Sequence, residues 1–207
     1  MQIGMHELLC KAQEMIARKY PTILTDKSKR GEIKNYIAQF LYDTGYTVEG
    51  YSMKQVTDRL FSEMAEYSFL TAYLNDPNIE EININGWDDV ALTYLDGHIE
   101  KSDEQFFSPG HAVDIIKRLL LHSGMTIDNA VPKAEGHLPN NTRITVIKTP
   151  IVDEDRGIAA SIRMLHPQRV DRENLIRTES ITDEMLSFLE MCVCYGVSYV
   201  VAGRTSS

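Results

Sequence analysis

With 207 residues, 43% hydrophobic and 25% charged, the chain has an ordinary globular composition, enough for one sizeable core or two small ones. A formal charge of −9 argues against a general nucleic-acid or anionic-membrane surface, which needs a basic field for long-range attraction. The three cysteines, Cys10, Cys192 and Cys194, show no metal-ligand spacing and point to a reduced compartment. No apolar run approaches about eighteen residues and the N-terminus lacks signal-peptide order, so no transmembrane segment is expected.

Taken in order, Leu8, Leu9, Ala12, Met15 and Ile16 form the stripe of an amphipathic helix over 5–20, which Pro21 ends. Ile33, Tyr36, Ile37, Phe40 and Leu41 mark a second helix after Ser28, closed near Gly45. A third begins near Ser52, carries Val56, Leu60, Met64 and Tyr67 on one face, and runs toward Leu74 with a break around Tyr67 and Ser68. Residues 1–74 therefore read as a small helical bundle with no chemistry of its own.

At Asn75-Asp76-Pro77 the helical period gives way to alternation. Ile82 and Ile84, then Val90, Leu92 and Tyr94, predict half-buried strands joined through 86–89, and Asp96-Gly97 predicts a hairpin before 98–101. Ser108-Pro109 opens a helix with Val113, Ile116, Leu119 and Leu120 on one face. Strands are predicted over 142–149, after an Asn140-Asn141 turn, and over 158–164, after the acidic Asp153-Glu154-Asp155 loop. The expectation for 75–166 is one antiparallel sheet with a helix on one face.

The charged, proline-containing stretch 167–180 reads as a linker. A helix with Leu186, Leu189 and Val193 spaced for burial follows from Ile181 to Tyr195, then a β-branched run, Val197-Ser198-Tyr199-Val200-Val201, that predicts a buried parallel strand. Gly203, Arg204, Thr205, Ser206 and Ser207 match the first positions of the phosphate loop Gly-x-x-x-x-Gly-Lys-Ser/Thr, without its Lys or its Mg²⁺-holding hydroxyl. Residues 181–207 are thus expected to open an α/β nucleotide-binding domain cut inside its loop, and the overall class to be α+β.

Three pieces resemble a known family. Asp76, Pro77, Glu81, Ile82, Asn85 and Gly86 match, in register, the form Leu-x-Asp-Pro-x-Val-x-Glu-Ile-x-Val-Asn-Gly of secretion and pilus ATPases, and the resemblance is to the CpaF-type branch of the type II/type IV secretion superfamily. Leu138-Pro139-Asn140-Asn141-Thr142-Arg143 is similar to that family's Leu-Pro-Asp-Gly-Ser-Arg hairpin, and Ser161-Ile162-Arg163 to its Ser-Ile-Arg strand. The order of the pieces, followed by a charged linker, a helix and the start of a phosphate loop, covers about 65–207.

This resemblance implies a PAS-like domain, a linker and a RecA-like core, assembled as a cytoplasmic homo-hexamer on the inner face of the cell membrane and docked on inner-membrane platform proteins of a secretion, pilus or conjugation system. It implies ATP and Mg²⁺ in the intact protein, with phosphates on Gly203 to Ser207 and cations arriving from Arg143 and Arg163. A spreading γ-phosphoryl charge is neutralised by guanidinium forks outside the loop only when the domains close. Where family members often carry Arg before Leu-Pro, this chain has His137, which lacks the bidentate fork. As it stands the chain is expected neither to hydrolyse ATP nor to hold it tightly, and no direct nucleic-acid partner is expected.

Other candidates fall away. The six histidines show no i, i+4 pairing, so no metal site is expected. The pairs Glu80-Glu81 and Asp88-Asp89 read as solvated turns or strand starts, and Ser198 lacks the glycines of a nucleophile elbow. From a different functional class, a PAS-like sensor or interaction module would use the same sheet without any phosphate loop.

Overall fold

The computed structural model describes residues 1–19, 30–165, 171–200 and 202–203. Two compact units are present, Met1–Leu165 and His166–Ser207. In the first, helices α1 (Met5–Lys19), α2 (Arg30–Thr44) and α3 (Met53–Ala65) precede the short α4 (Leu70–Leu74). Strands β1 (Ile79–Gly86), β2 (Asp89–Tyr94) and β3 (Ile99–Lys101), helix α5 (Pro109–Leu121), and strands β4 (Lys133–His137), β5 (Arg143–Lys148) and β6 (Ile158–Arg163) follow. The fold class is α+β, as the change of period at Asp76-Pro77 implies.

The α1–α3 stripe buries Leu8, Ala12, Ile16, Ile33, Ile37, Leu41 and Leu60 against one another. Ser52 starts α3 with a capping box: its hydroxyl accepts from the Gln55 N–H, and the Gln55 side chain accepts from the Ser52 N–H. Replacing Ser52 with Ala is expected to lower stability by about 1 kcal/mol, read as a shift in the urea midpoint at unchanged slope. The break anticipated around Tyr67 and Ser68 separates α3, which ends at Ala65 with Glu66 as its C-cap, from α4, and within it Ser68 takes a φ of 59°.

The six strands form one antiparallel sheet in the order β3-β2-β1-β6-β5-β4, two three-stranded meanders joined through α5 so that the first and last strands lie side by side at the centre. Alternation sets the faces. Ile82, Ile84, Val90, Leu92, Ile144, Val146, Ala160 and Ile162 turn inward and pack with Ile115, Ile116, Leu119 and Phe106 into a core separate from that of the bundle. The opposite face carries Asn83, Thr145, Ser161, Arg143 and Arg163.

The two cores are stitched at one junction. Phe106 enters the sheet core while its neighbour Phe107 packs on the bundle. Beneath them the fully buried Glu63 of α3 accepts from Ser68 Oγ at 2.7 Å and pairs with Arg59 Nε at 3.2 Å. Arg59 in turn forks onto Glu104 at 3.0 and 2.7 Å. Burial works against the charge of Arg59, and the Glu104 and Glu63 carboxylates outweigh it, so its pKa lies above the ordinary value. From α5, Arg118 donates to the carbonyls of Glu63 and Glu66.

Three stretches differ from the sequence expectation. Strand β4 was not anticipated, because at the sheet edge its inward positions are Ala134 and Gly136, too small to stand out as an apolar alternation. The supposed linker holds a short helix, α6 (Arg172–Arg177), started by the Asp171 side chain accepting from the Asn174 N–H. After α7 (Asp183–Cys194), Val197 to Val200 belong to no strand, since no strand in the described residues of the second unit is there to pair with them. The same lack of a partner surface leaves Val193 57% exposed and none of α7 buried, although its apolar spacing was read as buried. Arg172 ties α6 to α7 through Asp183 and Glu190, which raise its pKa.

Candidate functional site

The strand registers determine which polar side chains meet. Arg143 on β5 lies directly opposite Arg163 on β6; His137 on β4 lies opposite Arg143, and Glu81 on β1 opposite Arg163. Cross-strand partners share a face, so His137, Arg143, Arg163 and Glu81 form one row over four adjacent strands, on the side away from α5. The two arginines that sequence reasoning singled out are therefore nearest neighbours.

Backbone geometry closes the row at one end. The turn anticipated at Asn140-Asn141 is a 3₁₀ turn, Pro139–Asn141, with Asn141 at φ 61°. The Leu138 N–H donates to Thr142 O at 2.8 Å, closing the hairpin just beyond the His137 and Arg143 pair. On β6, the Met164 N–H donates to Glu80 O at 2.9 Å, so the ladder continues past Arg163. His137, Asn141, Arg143, Arg163, Met164 and Leu165 line an open cavity of about 410 Å³. Among the described residues no carboxylate lines it.

The charge arrangement is unusual for an ordinary strand surface. Like charges directly opposite across a sheet destabilise it, whereas arginines alternating with carboxylates would stabilise it. Arg143 has no ion-pair partner among the described residues, whereas Arg163, which also lines the cavity, pairs with Glu80, Nη2 to Oε1 3.3 Å. Glu81 is engaged by Ser161, whose hydroxyl donates to Oε1 at 2.7 Å. Two guanidinium forks on adjacent strands provide paired, planar donor sets for an oxyanion.

Glu80 and Glu81 had been read as merely solvated. A register irregularity between Ile79 and Glu81 brings both out of strict alternation: Ile79 and Ile82 are buried while both glutamates between them are half-buried. The double break in alternation, two consecutive acids between two inward isoleucines, was the available signal. Gly203 is described and exposed; Arg204, Thr205, Ser206 and Ser207 lie outside the described residues. Among the described residues no helix is long and apolar enough to cross a membrane.

No family model matches the chain. It is 26% identical over 137 residues to the Uncharacterized protein MJ0900 of Methanocaldococcus jannaschii, a match covering 64% of this chain and 24% of that protein. Among solved structures it is similar to the VirB11 ATPase from the Brucella suis type IV secretion system in complex with sulphate, with a TM-score of 0.45, 18% identity, and coverage of 62% of this chain and 41% of that one. The chain thus spans about a quarter of the length of the curated relative and well under half that of the solved chain.

Proposed function

We propose that this chain is the N-terminal part of an ATP-hydrolysing secretion motor of the CpaF-type branch, and that Arg143 and Arg163 form the wall of a nucleotide site completed by a phosphate loop that opens at Gly203. The observation carrying this reading is the pair of arginines set directly opposite each other on the sheet face away from α5, beside a cavity that no carboxylate of the described residues lines. A fold-only surface has no use for that repulsion; an incoming polyanion turns it into attraction. The order of the Asp76-Pro77, hairpin and Ser161-Ile162-Arg163 pieces along the chain supports the family assignment.

The donor set fits the phosphates of a nucleotide, while a Mg²⁺ ligand set would have to come from elsewhere in the protein. Arg143 and Arg163 would hold terminal phosphate oxygens, with His137 and Asn141 at the rim. Bound ATP supplies the transferable phosphoryl group; these residues bind it, orient it and neutralise its charge. In the working protein we place this unit in a cytoplasmic homo-hexamer on the inner membrane face, with α1–α3 toward platform proteins and nucleotide contacts favouring closure. The three divisions 1–74, 75–166 and 181–207, with 167–180 between the last two, are retained as the working domain scheme.

A sensor would need room for a ligand between sheet and helix, where Ile82, Ile162, Ile115 and Ile116 are buried against one another instead. The parent reading frame tests the assignment. It is expected to continue beyond Ser207 through Gly-Lys-Ser or Gly-Lys-Thr, and its product to hydrolyse ATP; a frame without that continuation overturns the motor reading.

A further inference from the structure

The carboxylate beside the arginine pair has no place in the proposed nucleotide contacts. Glu80 joins the row's own Glu81 beside the two arginines, so at rest the charges on this face nearly cancel. They are unevenly placed: Arg143 faces the cavity without an anionic partner among the described residues, whereas Arg163 is drawn to Glu80 Oε1 at 3.3 Å. Glu80 reaches it because the irregularity in β1 turns that side chain out of the core face. Its backbone is held in place by the Met164 N–H, which donates to Glu80 O, so the carboxylate is anchored within reach of the guanidinium.

We infer that Glu80 acts as an internal substitute for the ligand anion. In the resting chain it relieves the repulsion between Arg143 and Arg163. A polyphosphate enters on Arg143, takes Arg163 from the carboxylate and displaces Glu80. Glu80 is therefore a positioning residue that sets the affinity of the arginine pair for an extended phosphate chain. It lowers that affinity in exchange for a stable empty sheet. The pair is solvent-accessible, with Arg163 56% and Glu80 24% exposed, so the exchange opens no buried surface. This inference rests on the reading of Arg143 and Arg163 as a phosphate-binding pair.

The test is calorimetric titration of inorganic tripolyphosphate into the whole 207-residue chain at fixed ionic strength. Glu80→Gln is expected to tighten binding about threefold to tenfold, by removing both a competing ion pair and a nearby negative charge. Glu80→Asp, whose shorter side chain withdraws from Arg163 while keeping the charge, is expected to give a smaller gain and covers the case in which the first variant folds poorly. Arg143→Ala is expected to weaken binding at least about tenfold. Glu154→Gln, in the exposed loop before β6, controls for net charge and is expected to change nothing. If Arg143→Ala weakens binding but neither Glu80 variant tightens it, or Glu154→Gln gives the same gain, the role of Glu80 is overturned and the arginine site stands. If Arg143→Ala leaves binding unchanged, the phosphate-binding reading itself fails.

Discussion

On the proposed nucleotide-wall reading, replacing Arg163 with Ala in the intact motor is expected to lower ATP turnover by about 10³, with a comparable loss for Arg143→Ala. Both guanidinium groups belong to one sheet face, and neither is held by a buried network that its loss would unravel. Their removal therefore reports on charge stabilisation rather than on folding. The loss should fall mainly on kcat, because the contacts count most when negative charge spreads over the transferring group. Arg→Lys at either position should recover only part of the rate, since an ammonium keeps the charge and loses the planar fork. Arg156→Ala is the control: that arginine sits in an exposed pair with Asp88 at 3.3 Å, at the far end of β6, and should leave turnover unchanged. Steady-state hydrolysis at saturating ATP decides it, and rates within a factor of two of wild type for both arginine variants would exclude them from the nucleotide wall.

Glu63→Ala is expected to cost about 3 kcal/mol in urea unfolding of this chain, the largest effect on stability foreseen for a single polar side chain. Glu63 is fully buried, and its removal strands Ser68 Oγ, which donates to it at 2.7 Å, together with one side of Arg59. His111 is affected as well. The Phe107 N–H donates to its Nδ1 at 3.2 Å, which places the ring proton on Nε2, 3.0 Å from Glu63 Oε2 in a close approach not aligned as a hydrogen bond. Arg59 keeps Glu104, and that holds the cost at the lower end of the range for a broken buried pair. Glu104→Ala should cost less, because Glu104 is 43% exposed and water replaces what it loses. A Glu63→Ala midpoint equal to wild type would show that the junction between bundle and sheet does not depend on this carboxylate.

The elements with strong periodicity were legible. The stripes of α1–α3, the alternation of β1 and β2, the Asp96-Gly97 turn and the Ser108-Pro109 start of α5 each carry their own physical signal over several residues. Strand β4 was not legible because its inward positions, Ala134 and Gly136, are too small to show an apolar alternation, and α6 because its start depends on one Asp171 cap amid charges. Arg143 and Arg163 were reachable as individual candidates through motif resemblance. Their adjacency was not, for cross-strand register is a property of pairing between segments and cannot be read along either one. Glu80 was passed over for a related reason: only the irregularity in β1 makes it a neighbour of Arg163.

Strand β6 is paired on both sides, with β1 and β5, and alternates Ile158, Ala160 and Ile162 inward against Arg163 outward. Side-chain direction in a strand repeats every second residue, so inserting or deleting a single residue between Ile158 and Arg163 would exchange the isoleucine and arginine faces, burying a guanidinium and exposing the core at once. The 149–157 segment ahead of it is under no such parity rule. Natural variants of this sheet should therefore differ freely in the length of that connection while the spacing from Ile158 to Arg163 stays invariant.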